Sequence, residues 1–372
     1  MPGRGLEDVV AAQTAISDID GRLGRLFYVG YDIHELAENS TFEETVWLLH
    51  HLKLPTQDEL DQIADQLGVE RDLDDFVLRL MPTMAEQTSP MSMLRTTVSA
   101  MSAHDPDGWD QSPDANYRKA MRLVARFPTV IAMYDRIRKN LDVIKPNPKL
   151  SHAGNLLYML LGHEPEEEMA RVLDICLILH ADHTMNASTF AARVAASTLS
   201  DIHSAITAAI ATLKGPLHGG ANEAVMNMLL KIDDPGKVEA HVKKLFAEKK
   251  KIMGFGHRVY KTEDPRATVL RKLAKQVGEH VGETKWYEMS LTVEEVVKAE
   301  KGLYPNVDFF AASVYYGLGI PVDLFTPIFA ASRVSGWTAH VREQYDDNRL
   351  IRPESDYIGP RNQHYISIDQ RG

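Results

Sequence analysis

The chain is organised around one stretch that combines two glycines, a histidine and several cations: Gly254-Phe255-Gly256-His257-Arg258-Val259-Tyr260-Lys261-Thr262-Glu263-Asp264-Pro265-Arg266. Glycine has no Cβ atom, so Gly254 and Gly256 let the backbone turn sharply and approach a ligand closely. Asp264 and Pro265 are typical of a helix N-cap and first helical residue, which predicts Arg266 on the first turn of a helix. An arginine fixed there can bind a carboxylate through two parallel hydrogen bonds.

Two other interpretations of this stretch compete. Gly254 and Gly256 could begin a dinucleotide-binding fingerprint, but residue 259 is Val259 rather than glycine and no strand pattern precedes it. We discard that interpretation. The stretch could also be an ordinary loop whose histidine caps a helix, since exposed histidines are common in loops. The residue types alone leave this second alternative open.

The composition is that of a globular protein with an acidic surface. At 372 residues, the chain is long enough for two lobes with separate cores. Its net charge of −11 repels nucleic acids and anionic membranes. The single cysteine, Cys176, lies in the apolar run 172–179 and is expected to be a small buried hydrophobe. Residues 1–8 contain no apolar leader and no apolar run could cross a bilayer, so we expect a cytoplasmic protein.

Helical patterns dominate after residue 30. Residues 16–29 hold the predicted sheet. Ser40 or Thr41 is predicted to cap the next helix, and Thr56 to cap the one after it in a capping box with Glu59. Surface connections are expected at 105–113 and 145–149.

The middle of the chain favours helix, and we predict further helices over 201–214 and 327–345. Gly215 and Pro216 end the first of these, which leaves His218 on a glycine-rich corner, where it either faces a ligand or caps the surface.

Lysines cluster just before the opening stretch, at Lys243, Lys244 and 249–251. On an acidic chain, this local excess of cations indicates a polyphosphate ligand or, alternatively, a solvated helix face.

Several ordered motifs resemble citrate synthases and the related 2-methylcitrate synthases. They are Gly-Phe-Gly-His-Arg-Val-Tyr at 254–260, Asp-Pro-Arg at 264–266, His183 with Asn-Ala-Ser-Thr-Phe at 186–190, Lys-Gly-Pro-Leu-His-Gly-Gly-Ala-Asn at 214–222, Tyr-Pro-Asn-Val-Asp at 304–308, and Ser-Arg at 332–333. The resemblance implies an almost all-α fold with a minor N-terminal β element. It also implies a large lobe of residues 1–215 with 319–372, a small lobe of 216–318, and a short homodimeric type of enzyme.

The resemblance also implies an activity. Citrate synthases condense acetyl-CoA with oxaloacetate and hydrolyse the product to citrate and CoA, at the start of the tricarboxylic acid cycle. Asp308 matches the general base, His218 the residue that binds the thioester oxygen, and His257 the group that protonates the oxaloacetate carbonyl. No metal and no tightly bound cofactor are implied, because acetyl-CoA is a substrate and CoA a product.

The same resemblance assigns binding residues. Those for oxaloacetate are His183, Arg266, Arg333 and Arg352, with Arg352 contributed by the other subunit, and Asn186 and Ser188 as supporting groups, Ser188 orienting His218. Those for coenzyme A are Met253, Gly254, Phe255, Gly256, Arg258 and Lys261. The chain departs from many relatives at Leu52, where they have glycine at a helix end.

Three alternatives remain at this stage. A metal-dependent hydrolase could use His180, Asp182 and His183, although His-Glu-x-x-His is absent. A non-catalytic helical scaffold would keep the fold without turnover. A 2-methylcitrate synthase would use propionyl-CoA, and a single methyl group changes binding by only about 1–3 kcal/mol.

Overall fold

The structure, a computed structural model, describes residues 4–6 and 9–371. The expected lack of a leader concerns residues 1–8, of which 1–3, 7 and 8 lie outside the described part. The described part of the chain contains three strands: β1 (Ser17–Asp20), β2 (Arg25–Tyr28) and β3 (Tyr31–Asp32). The helices in the same part are α1 (Ile33–Asn39), α2 (Phe42–His51), α3 (Gln57–Val69), α4 (Asp75–Met84), α5 (Pro90–Met101), α6 (Pro113–Arg138), α7 (His152–Leu161), α8 (Glu167–His180), α9 (Ala187–Ser197), α10 (Ile202–Leu213), α11 (Ala221–Ile232), α12 (Val238–Ala247), α13 (Pro265–His280), α14 (Lys285–Lys301), α15 (Val307–Gly317) and α16 (Phe325–Asp346).

The predicted N-terminal sheet is present, with one strand more than expected. β1 pairs antiparallel with β2, and β2 pairs antiparallel with β3. β3 has only two residues, too few for the alternating pattern by which a strand is recognised in a sequence. Tyr28 is fully buried, and its hydroxyl lies 3.0 Å from the carbonyl oxygen of Asp182. The hairpin is therefore anchored at the C-terminal end of α8.

Helix starts follow the predicted caps. Thr41 accepts a hydrogen bond from the Glu44 amide, and Thr56 forms the expected capping box with Glu59. The final long helix, α16, is one to two residues longer at each end than predicted. Its Pro327 lies in the first turn, where a missing amide hydrogen costs nothing.

Long buried helices form most of the core. α16 is buried along almost its whole length and packs against α6, α8, α9 and α10. In the second half of the chain, α13 and α11 each pack against α15, and α12 packs against α14. The N-termini of α13 and α15 lie side by side, since the Val307 amide donates to the Asp264 carboxylate at 3.1 Å. The division into lobes at residues 216 and 319 stays a prediction.

One connection differs from its prediction. The segment 105–113 was expected at the surface, but Asp105 is buried and accepts two hydrogen bonds from Arg122. An ion pair between residues far apart in the chain leaves no local sequence signal, so the prediction was wrong for Asp105. The segment 145–149 contains no helix, as expected.

None of the helices in the described part combines the length and apolar character needed to cross a membrane. Cys176 is unpaired and fully buried within α8, as its apolar surroundings predicted. Burial raises the pKa of its thiol, which keeps the sulfur protonated and unreactive.

Candidate active site

His218 lies on the turn between α10 and α11 and faces the start of α9. Its Nε2 atom accepts a hydrogen bond from the backbone amide of Ser188 at 3.3 Å and lies 2.9 Å from that residue's hydroxyl. Trp337 donates to the same hydroxyl from α16 at 3.1 Å. Because an amide can only donate, Nε2 of His218 carries no proton and the proton lies on Nδ1. Burial lowers the pKa of His218 to about 4, so the ring is neutral at pH 7.

His257 has the opposite tautomer. Its Nδ1 atom accepts hydrogen bonds from the amides of Val259 at 3.0 Å and Tyr260 at 3.2 Å, so the proton lies on Nε2. Burial is the main reason that its pKa falls to about 4, and the charge of Arg266 lowers it further. The ring closes its own turn and does not cap a helix, because α13 begins only at Pro265 and is capped by Asp264. One N–H donor of the ring stays free of those amide contacts.

Three rings meet beside this turn. The His183 ring lies edge-on to the His257 ring with centroids 5.1 Å apart, and Tyr260 packs 4.6 Å from His257. The Nε2 atom of His183 lies 3.2 Å from the Tyr260 hydroxyl. Burial holds the pKa of His183 well below its usual value and raises the pKa of Tyr260, so both groups are neutral and share this hydrogen bond.

Asp308 lies in the first turn of α15. The side chain of Asn306 caps that helix by accepting the Asp308 amide, and its Nδ2 atom donates to the Gly256 carbonyl at 3.0 Å. Backbone hydrogen bonds also join Gly256 to Tyr304 and Asn306 to Gly254. The turn of His257 and the helix of Asp308 are thus built on one another. No hydrogen bond within 9–371 joins the Asp308 carboxylate to His218 or His257.

The surroundings of Asp308 make it a stronger base than an ordinary carboxylate. Burial raises its pKa to about 7, against the opposing pull of Arg266 and Arg333. A carboxylate with this pKa is partly ionised at neutral pH and binds a proton far more tightly than one in water.

Arg266 lies where Asp264 and Pro265 predicted it, on the first turn of α13. Asp264 caps that helix and also holds the Arg266 guanidinium through hydrogen bonds of 2.9 and 2.7 Å. The other contact of this carboxylate is the amide of Val307 at 3.1 Å. Both charges are buried, so Asp264 fixes the direction of the cation and joins the starts of α13 and α15.

Arg333 provides a second buried cation, from α16. Its Nε atom donates to the carbonyl of His180 at 2.6 Å, which leaves the rest of the guanidinium free of bonds to the described residues. Burial lowers its pKa to about 10, so it remains charged. That charge lowers the pKa of His183, His218 and Asp308 alike, which indicates that all three lie within its electrostatic reach.

The remaining predicted site residues are placed as follows. Asn186 caps α9, and its Oδ1 atom lies 2.7 Å from the Ser188 hydroxyl, so both groups are occupied within the protein. Arg352 is exposed on the segment after α16. Gly254 has a φ of 82°, and a Cβ there would lie 2.9 Å from the Val225 side chain.

The predicted coenzyme loop packs against α15 and carries two exposed cations. The Phe255 and Phe309 rings have centroids 4.5 Å apart, Met253 and Gly256 are partly buried, and Arg258 and Lys261 are exposed. Among the lysines before this loop, three pair with carboxylates: Lys243 with Glu239, and Lys244 and Lys250 with Glu248. The polyphosphate interpretation of the lysine cluster stays a prediction.

The residues of the metal-hydrolase alternative face different partners. The Nδ1 atom of His180 lies 2.6 Å from the carbonyl of Cys176, and Asp182 pairs with His340 at 3.2 Å. Within residues 4–6 and 9–371, no three His, Cys, Asp or Glu side chains are grouped so that they could hold a metal ion.

Three contributors to the site had no assigned role there from the sequence. Tyr260 lies within the opening stretch, Asp264 was identified only as a cap, and Trp337 was only placed on the last helix. The spacing of Arg333 and Trp337, four residues apart on one helix, is a signal that could have joined them on one face.

A profile of the family described as "Citrate synthase, C-terminal domain" matches residues 5–354. The chain is 51% identical to a citrate synthase of Haloferax volcanii, over 99% of this chain and 98% of that one. It is 42% identical to 2-methylcitrate synthase 2 of Corynebacterium glutamicum, over 99% and 97%.

The fold is also similar to those of solved citrate synthases. The citrate synthase of Thermoplasma acidophilum, solved as a ternary complex with carboxymethyl coenzyme A and oxaloacetate, superimposes with a TM-score of 0.93. That match covers 99% of both chains at 36% identity. The chain therefore belongs to the citrate synthase family and is an enzyme of that type.

Proposed function

We propose that the chain condenses acetyl-CoA with oxaloacetate and hydrolyses the product to citrate and CoA, using Asp308, His218 and His257. The fixed tautomers of the two histidines carry this proposal. Backbone amides occupy Nε2 of His218 and Nδ1 of His257, so each neutral ring offers one N–H donor. Coenzyme A enters as a substrate and leaves as a product, with no tightly bound cofactor.

The first step removes a proton from the acetyl methyl group. Asp308 takes this proton, for which its pKa of about 7 suits it better than an ordinary carboxylate. Charge then develops on the thioester oxygen, and the Nδ1–H group of His218 donates a hydrogen bond to it. Because the ring is neutral and held by Ser188, it needs no reorganisation as the charge develops.

The second step forms the carbon–carbon bond. The enolate carbon attacks the ketone carbon of oxaloacetate, and the ketone oxygen takes a proton from Nε2–H of His257. Water then cleaves the citryl thioester, which releases citrate and the CoA thiol. Two carboxylates must be held during these steps, and the buried cations Arg266 and Arg333 with the neutral His183 suit that task.

The working enzyme is a homodimer in the cytoplasm, with Arg352 reaching the site of the partner subunit. The exposed position of Arg352 on a segment outside the helices supports this arrangement. Residues 216–318 form the small lobe, and its closure over 1–215 and 319–372 excludes water during condensation. The loop from Met253 to Gly256, with Arg258 and Lys261, binds the coenzyme.

A thiol-release assay tests the reaction. The purified chain with acetyl-CoA and oxaloacetate should release free CoA, whereas either substrate alone should not. Absence of thiol with both acetyl-CoA and propionyl-CoA would overturn the proposed reaction. Turnover that survives a metal chelator would remove the metal-hydrolase alternative.

The choice between acetyl-CoA and propionyl-CoA needs its own measurement. Relatives named citrate synthase reach 51% identity, against 42% for the 2-methylcitrate synthase compared above, which favours acetyl-CoA. We expect a higher kcat/KM for acetyl-CoA than for propionyl-CoA at saturating oxaloacetate. The reverse order would assign the chain to 2-methylcitrate synthesis.

A further inference from the structure

The loop that carries His183 is held from behind by α16. The carbonyl of His180 accepts from Arg333 at 2.6 Å, and the carbonyl of Ala181 accepts from the Gly336 amide at 3.2 Å. A Cβ at Gly336 would lie 2.4 Å from Oδ1 of Asp182, so only glycine lets the loop come this close. The last carbonyls of α8, which a helix leaves without partners, are thus capped by another helix.

The carboxylate of Asp182, the residue before His183, also binds the backbone of Thr184, the residue after it. The Oδ2 atom of Asp182 accepts hydrogen bonds from the Ser17 hydroxyl and, at 3.1 Å, from the Thr184 amide. The same oxygen lies 3.2 Å from Nε2 of His340 on α16. The residues directly before and after His183 are therefore fixed to one buried atom.

His340 is built to hold that carboxylate. Its ring is fully buried, and its Nδ1 atom faces Glu343 at 3.7 Å and Arg193 at 3.2 Å. Arg193 in turn donates to Glu343 at 2.6 Å. The ring therefore joins the buried Asp182 carboxylate to a second, partly exposed ion pair.

We propose that His340 and Asp182 are positioning residues for oxaloacetate, acting through His183. The inference rests on the proposed function, in which His183 binds oxaloacetate. Asp182 fixes the backbone on both sides of His183, and His340 fixes Asp182. The pair lies behind the part of the site that binds oxaloacetate, whereas Ser188 holds His218 on the thioester side. Loss of the pair should therefore change the KM for oxaloacetate and not the KM for acetyl-CoA.

The chain contains a matched pair that lacks this connection. His203 on α10 lies 3.5 Å from Asp105, both are buried, and Arg122 also binds that carboxylate. Neither His203 nor Asp105 contacts a residue of the candidate site within the described part of the chain. His203→Gln should therefore cost stability alone, and it serves as the control for His340→Gln.

The experiment compares Michaelis constants and ligand-induced stabilisation in the dimeric enzyme. His340→Gln and Asp182→Asn should raise the KM for oxaloacetate by about tenfold, since small displacements of a substrate-binding group are costly. The KM for acetyl-CoA at saturating oxaloacetate should stay within about twofold of the wild type. Scanning calorimetry should show a smaller oxaloacetate-induced rise in Tm for these variants, and His203→Gln should lower Tm with an unchanged KM.

A fall in Tm with an unchanged KM for oxaloacetate in His340→Gln would reduce the pair to a structural role and overturn the inference. If that variant does not fold, Ser17→Ala removes only one hydroxyl from Asp182 and must raise the same KM. An unchanged value there also overturns it. The calorimetric readout keeps the two proposals apart, because it reports oxaloacetate binding even in an enzyme that releases no CoA.

Discussion

At the scale of single residues, the site depends on side chains whose protonation is fixed by what surrounds them. Three histidines are neutral because burial and nearby arginines disfavour their charged forms. Asp308 is affected in the opposite direction, since burial favours its protonated form despite those same arginines. The result is a site in which one carboxylate titrates near pH 7 while the neighbouring rings do not.

The pH dependence of Asp308 gives the first prediction. We expect kcat to rise with pH through an apparent pKa near 7 and then to level off, because only the ionised carboxylate accepts the methyl proton. Asp308→Asn should lose activity by about a hundred- to ten-thousandfold. Steady-state rates from pH 5 to pH 9 test both expectations.

Stability provides the control for Asp308. Its folded-state pKa lies above the usual 3.8, so its favourable contribution is present at low pH and is lost as pH rises towards 7. Asp308→Asn does not titrate, so its Tm relative to the wild type should increase between pH 4 and pH 7 and stay constant above. Loss of activity together with a lower Tm at pH 8 would indicate a structural role instead.

Tyr260 gives the second prediction. Its hydroxyl lies 3.2 Å from Nε2 of His183 and shares a hydrogen bond with that ring. Tyr260→Phe removes this bond with almost no change in volume, and a net loss of about 1 kcal/mol corresponds to roughly a fivefold higher KM for oxaloacetate. The KM for acetyl-CoA should be unchanged.

Tyr345→Phe is the control for Tyr260→Phe. The Tyr345 hydroxyl, near the C-terminal end of α16, donates one hydrogen bond to the carbonyl of Ser200 at 2.5 Å. The Tyr345→Phe variant should have a slightly lower Tm and unchanged Michaelis constants for both substrates. Equal effects of the two variants on KM would contradict a specific role for Tyr260.

At the scale of elements, helix ends were predictable and the contacts between helix ends were not. Asp264 before Pro265, and Thr56 before Glu59, are local signals that fold as expected because capping involves residues two or three positions apart. The bond from Asp264 to the amide of Val307 joins residues that are distant in sequence. A single sequence contains no signal for such a contact, so the coupling of α13 to α15 could not be predicted.

The end of α2 gives the third prediction. Leu52, which departs from the glycine of many relatives, has a left-handed φ of 56° and is 46% exposed. Left-handed backbone costs a residue with a Cβ about 1–2 kcal/mol, and glycine loses part of this advantage to its greater freedom when unfolded. Leu52→Gly should therefore raise the unfolding free energy by about 0.5 kcal/mol, measured by urea denaturation.

Gly302 supplies the reverse control. It ends α14 with a φ of 63° and has open space around its Cβ position, so only the backbone conformation opposes a larger residue. Gly302→Ala should destabilise by about 1 kcal/mol. Unchanged stability in both variants would mean that these helix ends relax to accept either residue.

At the scale of the whole molecule, the N-terminal hairpin contacts both the loop that carries His183 and the turn that carries His257. Its first strand reaches the His183 loop through the bond from Ser17 to Asp182. Its turn meets the other side, where the Lys261 amide donates to the Gly21 carbonyl at 2.8 Å. A Cβ at Gly21 would lie 2.4 Å from the Val259 carbonyl oxygen, which accounts for glycine at this turn. Sequence alone predicted the sheet but not what it holds together.

The proposed contribution of Arg352 to the partner's site gives the last prediction. Arg352→Gln and Asp308→Asn homodimers should each be nearly inactive, because every active site lacks one required group. If Arg352 acts on the partner's site, a hybrid dimer of the two variants has one site with both defects and one with none. Mixing by unfolding and refolding should then restore up to half of the wild-type activity per hybrid dimer. If Arg352 acts within its own chain, each site of the hybrid keeps one defect and no activity returns. A chromatographic mass measurement that finds only monomers, together with full activity, would contradict the shared site at once.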